Sequence, residues 1–116
     1  MAFAGRNKYR AKPTVCAHGH KHASKREAAR CDALHLLQRT GAISDLEIEP
    51  QFWFVIDGKP LMHANGRRCG YKPDFAYVER GRQVIEDCKG MTVRDFPLRA
   101  ALFRHLFPAY ELRIIK

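Results

Sequence analysis

The sequence predicts a mixed α/β domain, and three features carry that expectation. An amphipathic helical pattern lies near the start, and a second lies near the end. Between them runs a series of short apolar segments separated by turn signals, and one more apolar segment closes the chain. The predicted order is helix, four strands, helix, strand. The 116 residues fit a single domain with a modest core, and 46% hydrophobic residues favour folding over disorder.

Residues 1–14, "MAFAGRNKYRAKPT", place Arg6, Lys8, Arg10 and Lys12 at alternating positions without a helical stripe. They read as a basic arm that either lies along a phosphate backbone or is simply solvated. Residues 15–116 read as one domain, with no internal repeat or linker.

"CAHGHKH" spaces Cys16, His18, His20 and His22 two apart. On a strand they share a face, and zinc accepts both ligand types. Structural zinc sites usually draw on two separated ligand pairs, however, and Gly19 marks a hairpin turn, so the turn is the favoured reading.

"SKREAARCDALHLLQRTG" is the clearest helix, with Ser24 as N-cap and Gly41 as its stop. Helical spacing puts Glu27, Cys31, Leu34 and Leu37 on one side, with Lys25, Asp32 and Arg39 opposite. Glu27 therefore faces inward in the first turn. Ser24-x-x-Glu27 is also a capping box, so from spacing alone capping and a functional role both stand.

"QFWFVI" and "KPLMHA" flank Asp57-Gly58 and predict a hairpin, with Pro60 placing the return strand at an edge. "GYKPDFAYV" and "RQVIEDCKG" predict a second hairpin around Glu79-Arg80-Gly81. By alternation Asp74, Ala76 and Val78 share a side, as do Ile85, Asp87 and Lys89, while Glu86 points away with Val84 and Cys88. In-register pairing brings Asp74, Asp87 and Lys89 together at one end of the sheet. "TVRDFPLRAALFRHLFP" predicts the second helix, capped by Thr92 or Asp95 and ended by Pro108, with Phe96, Ala100, Phe103 and Phe107 inward. "YELRII" closes the chain as a strand.

Lysine and arginine number 21 against 12 acids, a net charge of +9 that favours a polyanionic partner, nucleic acid first. The candidate phosphate contacts are Arg6, Lys8, Arg10 and Lys12 on the arm, Lys25 on the first helix, and Arg94 and Arg99 at the second. No apolar run approaches the roughly 18 residues of a membrane span, and no signal-peptide core opens the chain, so the expectation is a cytosolic protein without membrane contact. The four cysteines form no C-x-x-C pair, and Cys31 and Cys88 sit in apolar segments as reduced thiols.

Two carboxylates on neighbouring strands can hold Mg²⁺, which prefers oxygen ligands and keeps several waters. Such an ion activates water and stabilises a leaving oxygen, and a lysine on the same face can orient the attacking water. The plainer alternative is a surface salt bridge from Lys89 to Asp74 or Asp87, contributing at most about 1 kcal/mol.

Pro73-Asp74 with Asp87-x-Lys89 resembles the PD-(D/E)xK nuclease superfamily. "SKREA" and "EDCKG" resemble its small phage-encoded branch, domain of unknown function 1064, from about Lys8 to the C-terminus. "EPQF" and the helical Glu27 are similar to transposon-end endonucleases of the TnsA type and to phage endonuclease I. The resemblance implies a restriction-endonuclease-like core, a mixed central β-sheet flanked by helices. It implies Asp74, Asp87 and Glu27 as ligands of Mg²⁺, with Mn²⁺ as substitute, and Glu27, Asp74, Asp87 and Lys89 as the catalytic set. It moves Glu27 toward function. The implied activity is metal-dependent DNA endonuclease on branched DNA such as a Holliday junction, in phage DNA recombination or processing, in the cytoplasm of an infected or prophage-bearing bacterium. Resolving a four-way junction needs two active sites, hence a homodimer. The rival readings are a non-catalytic DNA-binding module that kept the fold, and a zinc-binding adaptor through Cys16, His18, His20 and His22.

Overall fold

A computed structural model of the chain describes residues 13–88 and 94–115. In chain order the elements are β1 (Thr14–Val15), β2 (Lys21–His22), α1 (Lys25–Thr40), β3 (Ser44–Ile48), β4 (Phe52–Trp53) and β5 (Val55–Ile56). There follow β6 (Lys59–Pro60), β7 (Gly70–Tyr71), β8 (Phe75–Glu79), β9 (Arg82–Cys88), α2 (Phe96–Leu106) and β10 (Tyr110–Ile115). The fold is mixed α/β, as the pattern predicts. Its centre is a four-stranded sheet of order β10-β9-β8-β3. The β3–β8 and β8–β9 pairs are antiparallel, whereas β9 and β10 run parallel and are joined through α2.

The helices cover opposite faces of this sheet. Ala28, Cys31 and Leu34 of α1 are buried against Phe75, Tyr77 and Val84. Phe96, Ala100 and Phe103 of α2 are buried with Tyr71, Ala76 and Ile85. Neighbours on one strand therefore enter different cores, which is why β8 and β9 read as nearly continuous apolar runs.

Helix α1 begins and ends at the expected residues. Ser24 Oγ accepts from the Glu27 N–H at 3.2 Å, and Gly41 closes the helix at φ 86°. At α2, Asp95 occupies the N-cap position but makes no capping hydrogen bond, because its carboxylate pairs with Arg99 at 2.7 Å. Thr92, the other candidate cap, lies outside the described residues.

The middle of the chain departs from expectation. The Asp57-Gly58 turn forms with both residues at positive φ, but only Val55 and Ile56 pair across it, with Pro60 and Lys59. The rest of "KPLMHA" turns back through Asn65-Gly66, so that Met62 bridges Arg68. "GYKPDFAYV" is not one strand either. Gly70–Tyr71 pairs with Phe52–Trp53, and Phe75–Glu79 joins the central sheet. Pro73 between them has no N–H to donate to a ladder, which accounts for the break. Strand β3, rich in acids and bulged between Ser44 and Glu47, is an element the sequence reading did not separate from its surroundings.

Candidate functional site

The β8–β9 register pairs Phe75 with Glu86 and Ala76 with Ile85, so the next rung sets Asp74 opposite Asp87. Both point to the α2 face, at the sheet end where β9 leaves the described residues. Asp87 is 2% exposed. Its Oδ2 accepts a hydrogen bond from the Tyr71 hydroxyl. Asp74 Oδ2 accepts from the Cys88 N–H at 2.7 Å. That bond fastens the carboxylate to the neighbouring strand.

Burial holds the Asp74 carboxyl well above the usual carboxylate range. The Asp87 carboxylate, within hydrogen-bonding reach, pushes it the same way, and Glu27 adds to the repulsion. Two acids in hydrogen-bonding reach are stabilised by a shared proton or by a cation in its place. Burial, then the Asp87 hydrogen bond, likewise raises Tyr71, which keeps it a neutral donor to Asp87.

Glu27 reaches the same strand ends from the first turn of α1. Among the described residues its carboxylate makes no hydrogen bond to Ser24, so only the Ser24 half of the capping box is formed. Its charge is felt instead by Asp74 and Cys88. Asp74 and Asp87 lie in hydrogen-bonding reach of each other, whereas Glu27 acts on Asp74 through its charge alone, so the aspartates form the close pair and Glu27 the outer member. Lys89, two residues beyond Asp87, lies outside the described residues. A facing pair of carboxylates, one buried and one half-buried, plus water suits Mg²⁺, which needs few protein ligands.

Glu86, next to Asp87 in sequence, is fully buried on the α1 face. Arg30 Nη2 donates to its Oε2 at 2.9 Å, Arg30 Nε donates to its Oε1, and the Tyr77 hydroxyl donates to Oε2 at 2.6 Å. Those bonds satisfy its charge and account for its burial.

Beside the carboxylates, beyond Tyr71, opens a cleft of about 340 Å³ lined in part by Trp53, His63, Arg68, Lys72 and Arg99. The Arg68 guanidinium stands 4.8 Å from the Trp53 ring centre. Of the expected phosphate contacts, Lys25 and Arg94 are exposed, and Arg99 is half-buried, bonded to Asp95 and to the Gly70 carbonyl. Arg6, Lys8, Arg10 and Lys12 lie outside the described residues. Tyr71, Arg68 and Trp53 carry no sequence pattern that marks them for this site. Tyr71 stands three residues before Asp74, but nothing local shows that its strand folds back over the acids.

No helix among the described residues is long and apolar enough to cross a membrane. Comparison with curated proteins finds no match, and neither does comparison with solved structures. One family model, described as protein of unknown function (DUF1064), matches residues 6–116. The chain belongs to that family.

Proposed function

We propose that this protein is a Mg²⁺-dependent DNA endonuclease with a PD-(D/E)xK core, acting on branched or otherwise structured DNA. The observation that supports this most is the facing pair of half-buried Asp74 and buried Asp87 at one sheet end, with Glu27 in electrostatic reach. Asp74 and Asp87 would hold the ion, with Glu27 as the outer carboxylate. A bound divalent cation supplies Lewis-acid polarisation of a phosphodiester and lowers the pKa of a coordinated water. Tyr71 fixes the Asp87 rotamer, and the Cys88 N–H fixes Asp74. Lys89, two residues past Asp87 in sequence, is the catalytic lysine that the family resemblance implies, and it would neutralise charge developing on the phosphate. The net charge of +9 favours a polyanionic substrate. The choice of branched DNA rests on family resemblance, and resolving a junction calls for a homodimer.

The test is cleavage of a labelled four-way junction beside matched duplex and single strand, with Mg²⁺, Mn²⁺ or EDTA. Metal-dependent cutting that disappears in Asp87→Ala and Lys89→Ala is the expected result. Salt-sensitive binding without cutting of any substrate would instead leave a DNA-binding module that kept the fold.

A further inference from the structure

The β1–β2 hairpin has little apolar surface to hold it to the domain. Val15 is 62% exposed, and Cys16 is the hairpin's one contribution to the hydrophobic core. Yet His22 is 2% exposed, and its Nε2 is buried with no hydrogen-bond partner. An unpartnered buried imidazole nitrogen is costly unless something binds it.

Three neighbouring atoms suggest what does. Cys16 Sγ and Cys31 Sγ are 3.6 Å apart, and each lies 3.5 Å from His20 Nδ1. A tetrahedral zinc has Zn–S near 2.3 Å and Zn–N near 2.0 Å, which gives edges of about 3.8 Å between sulfurs and about 3.5 Å from sulfur to nitrogen. Three edges of that tetrahedron are therefore already present. His22 brings a ring nitrogen to within 4.8 Å of the other three ligand atoms and is the looser corner.

We propose that Cys16, His20, His22 and Cys31 form a structural Zn²⁺ site that fastens the hairpin to α1. This differs from the set that sequence spacing suggests. His18 is exposed and stacks on His35 with ring centres 3.9 Å apart, and its Nδ1 lies 3.4 Å from Asp32. Its place is taken by Cys31, from the second turn of the helix. The local chain explains the geometry. Gly19 at φ 84° permits the tight turn in which the Cys16 N–H donates to the His20 carbonyl at 2.9 Å. Strand alternation then turns His20 and His22 toward the same helix.

An outer layer supports the ligands. The His35 Nδ1–H donates to the Cys31 carbonyl at 2.9 Å and lies 3.6 Å from Cys31 Sγ, where it offers a proton to a thiolate. Two thiolates and two imidazoles favour zinc over the hard, oxygen-seeking Mg²⁺. The His22 ring packs 6.0 Å from the Phe75 ring, which ties the cluster to the α1-side core. Closing the tetrahedron ties the second turn of α1, one turn along from Glu27, to the hairpin.

The test is elemental analysis of the full chain purified without chelator or affinity metal, followed by Co²⁺ exchange. About one zinc per chain is expected, and the Co²⁺ form should show sulfur-to-cobalt charge transfer and tetrahedral d–d bands. Cys31→Ser and His22→Ala should lose the metal, whereas His18→Ala and Cys69→Ser should keep it. Wild-type protein without zinc that shows no thiolate band on adding Co²⁺ would overturn the proposal, as would metal retained in Cys31→Ser. Retention by Cys31→Ser with loss in His18→Ala would assign the metal to the other set. These readouts use no DNA, so they stand whether or not the protein is a nuclease.

Discussion

Glu86 and Asp87 are consecutive residues, both almost wholly buried, and they belong to opposite faces of the sheet. Glu86 answers to Arg30 and Tyr77 beneath α1, and Asp87 answers to Tyr71 on the α2 side. Strand alternation separates them, so a single position of register divides a structural acid from a candidate ligand.

Cleavage should separate the two in the same way. Asp87→Asn is expected to lower Mg²⁺-dependent cutting by about 100-fold or more, since it removes a ligand charge. Glu86→Gln should stay within about 10-fold of wild type once assayed below its melting temperature, because it touches no part of the site. Single-turnover cleavage of the preferred substrate measures both, and equal losses would contradict the division.

Stability should show the converse. Arg30→Met leaves Glu86 buried with only the Tyr77 hydroxyl and is expected to cost about 3 kcal/mol. Replacing both partners, Arg30→Met with Glu86→Met, should recover most of that loss, since no buried charge then remains unpaired. Urea unfolding of the two single variants and the double variant measures the difference.

The Asp74 proton predicts a pH dependence for the metal-free protein. Its folded pKa is raised, so above about pH 4, the ordinary aspartate value, the folded state holds a proton that the unfolded chain releases. Stability therefore falls with rising pH until Asp74 ionises in the folded protein. Asp74→Asn can still accept from the Cys88 N–H, and its amide donates to Asp87 in place of the shared proton. That variant should gain at least about 1 kcal/mol at pH 8 in EDTA relative to wild type, with a smaller gain at pH 5. Thermal melts across pH with and without Mg²⁺ test this, and Mg²⁺ should stabilise only the wild type.

Tyr71→Phe removes the donor that orients Asp87 and leaves the ring packed against Phe96 and Phe103. The expected result is a folded protein whose affinity for Mn²⁺ falls about 10-fold or more, measured by calorimetry. An unchanged affinity would make the hydroxyl a structural partner only.

The cleft beyond Tyr71 should bear on nucleic-acid affinity. Trp53 is 43% exposed under the Arg68 guanidinium, so it offers a stacking surface with a charge beside it. Trp53→Ala is expected to weaken single-strand binding by about 1–3 kcal/mol. Arg68→Ala should lower the slope of log K against log salt by about one. Fluorescence anisotropy across a salt series reads both effects.

Local chemistry determined much of this protein before any tertiary contact. Ser24 and Gly41 bound α1 because a side-chain acceptor and a left-handed residue serve the helix ends directly. Alternation along β8 and β9 put Asp74 with Asp87 and turned Glu86 away, because side-chain direction on a strand has period two. The spacing of Phe96, Ala100 and Phe103 likewise marked the buried side of α2. Tertiary structure alone decided what spans long stretches of chain. It set β3 beside β8, folded Tyr71 over Asp87, closed Arg30 on Glu86, and brought Cys31 to Cys16, His20 and His22. Those partners come from separate elements, and periodicity within one segment carries no information about which other segment will pack against it. For Glu27 the outcome lay between the two: its position in the first turn was local, and its electrostatic reach to Asp74 was supplied by the fold.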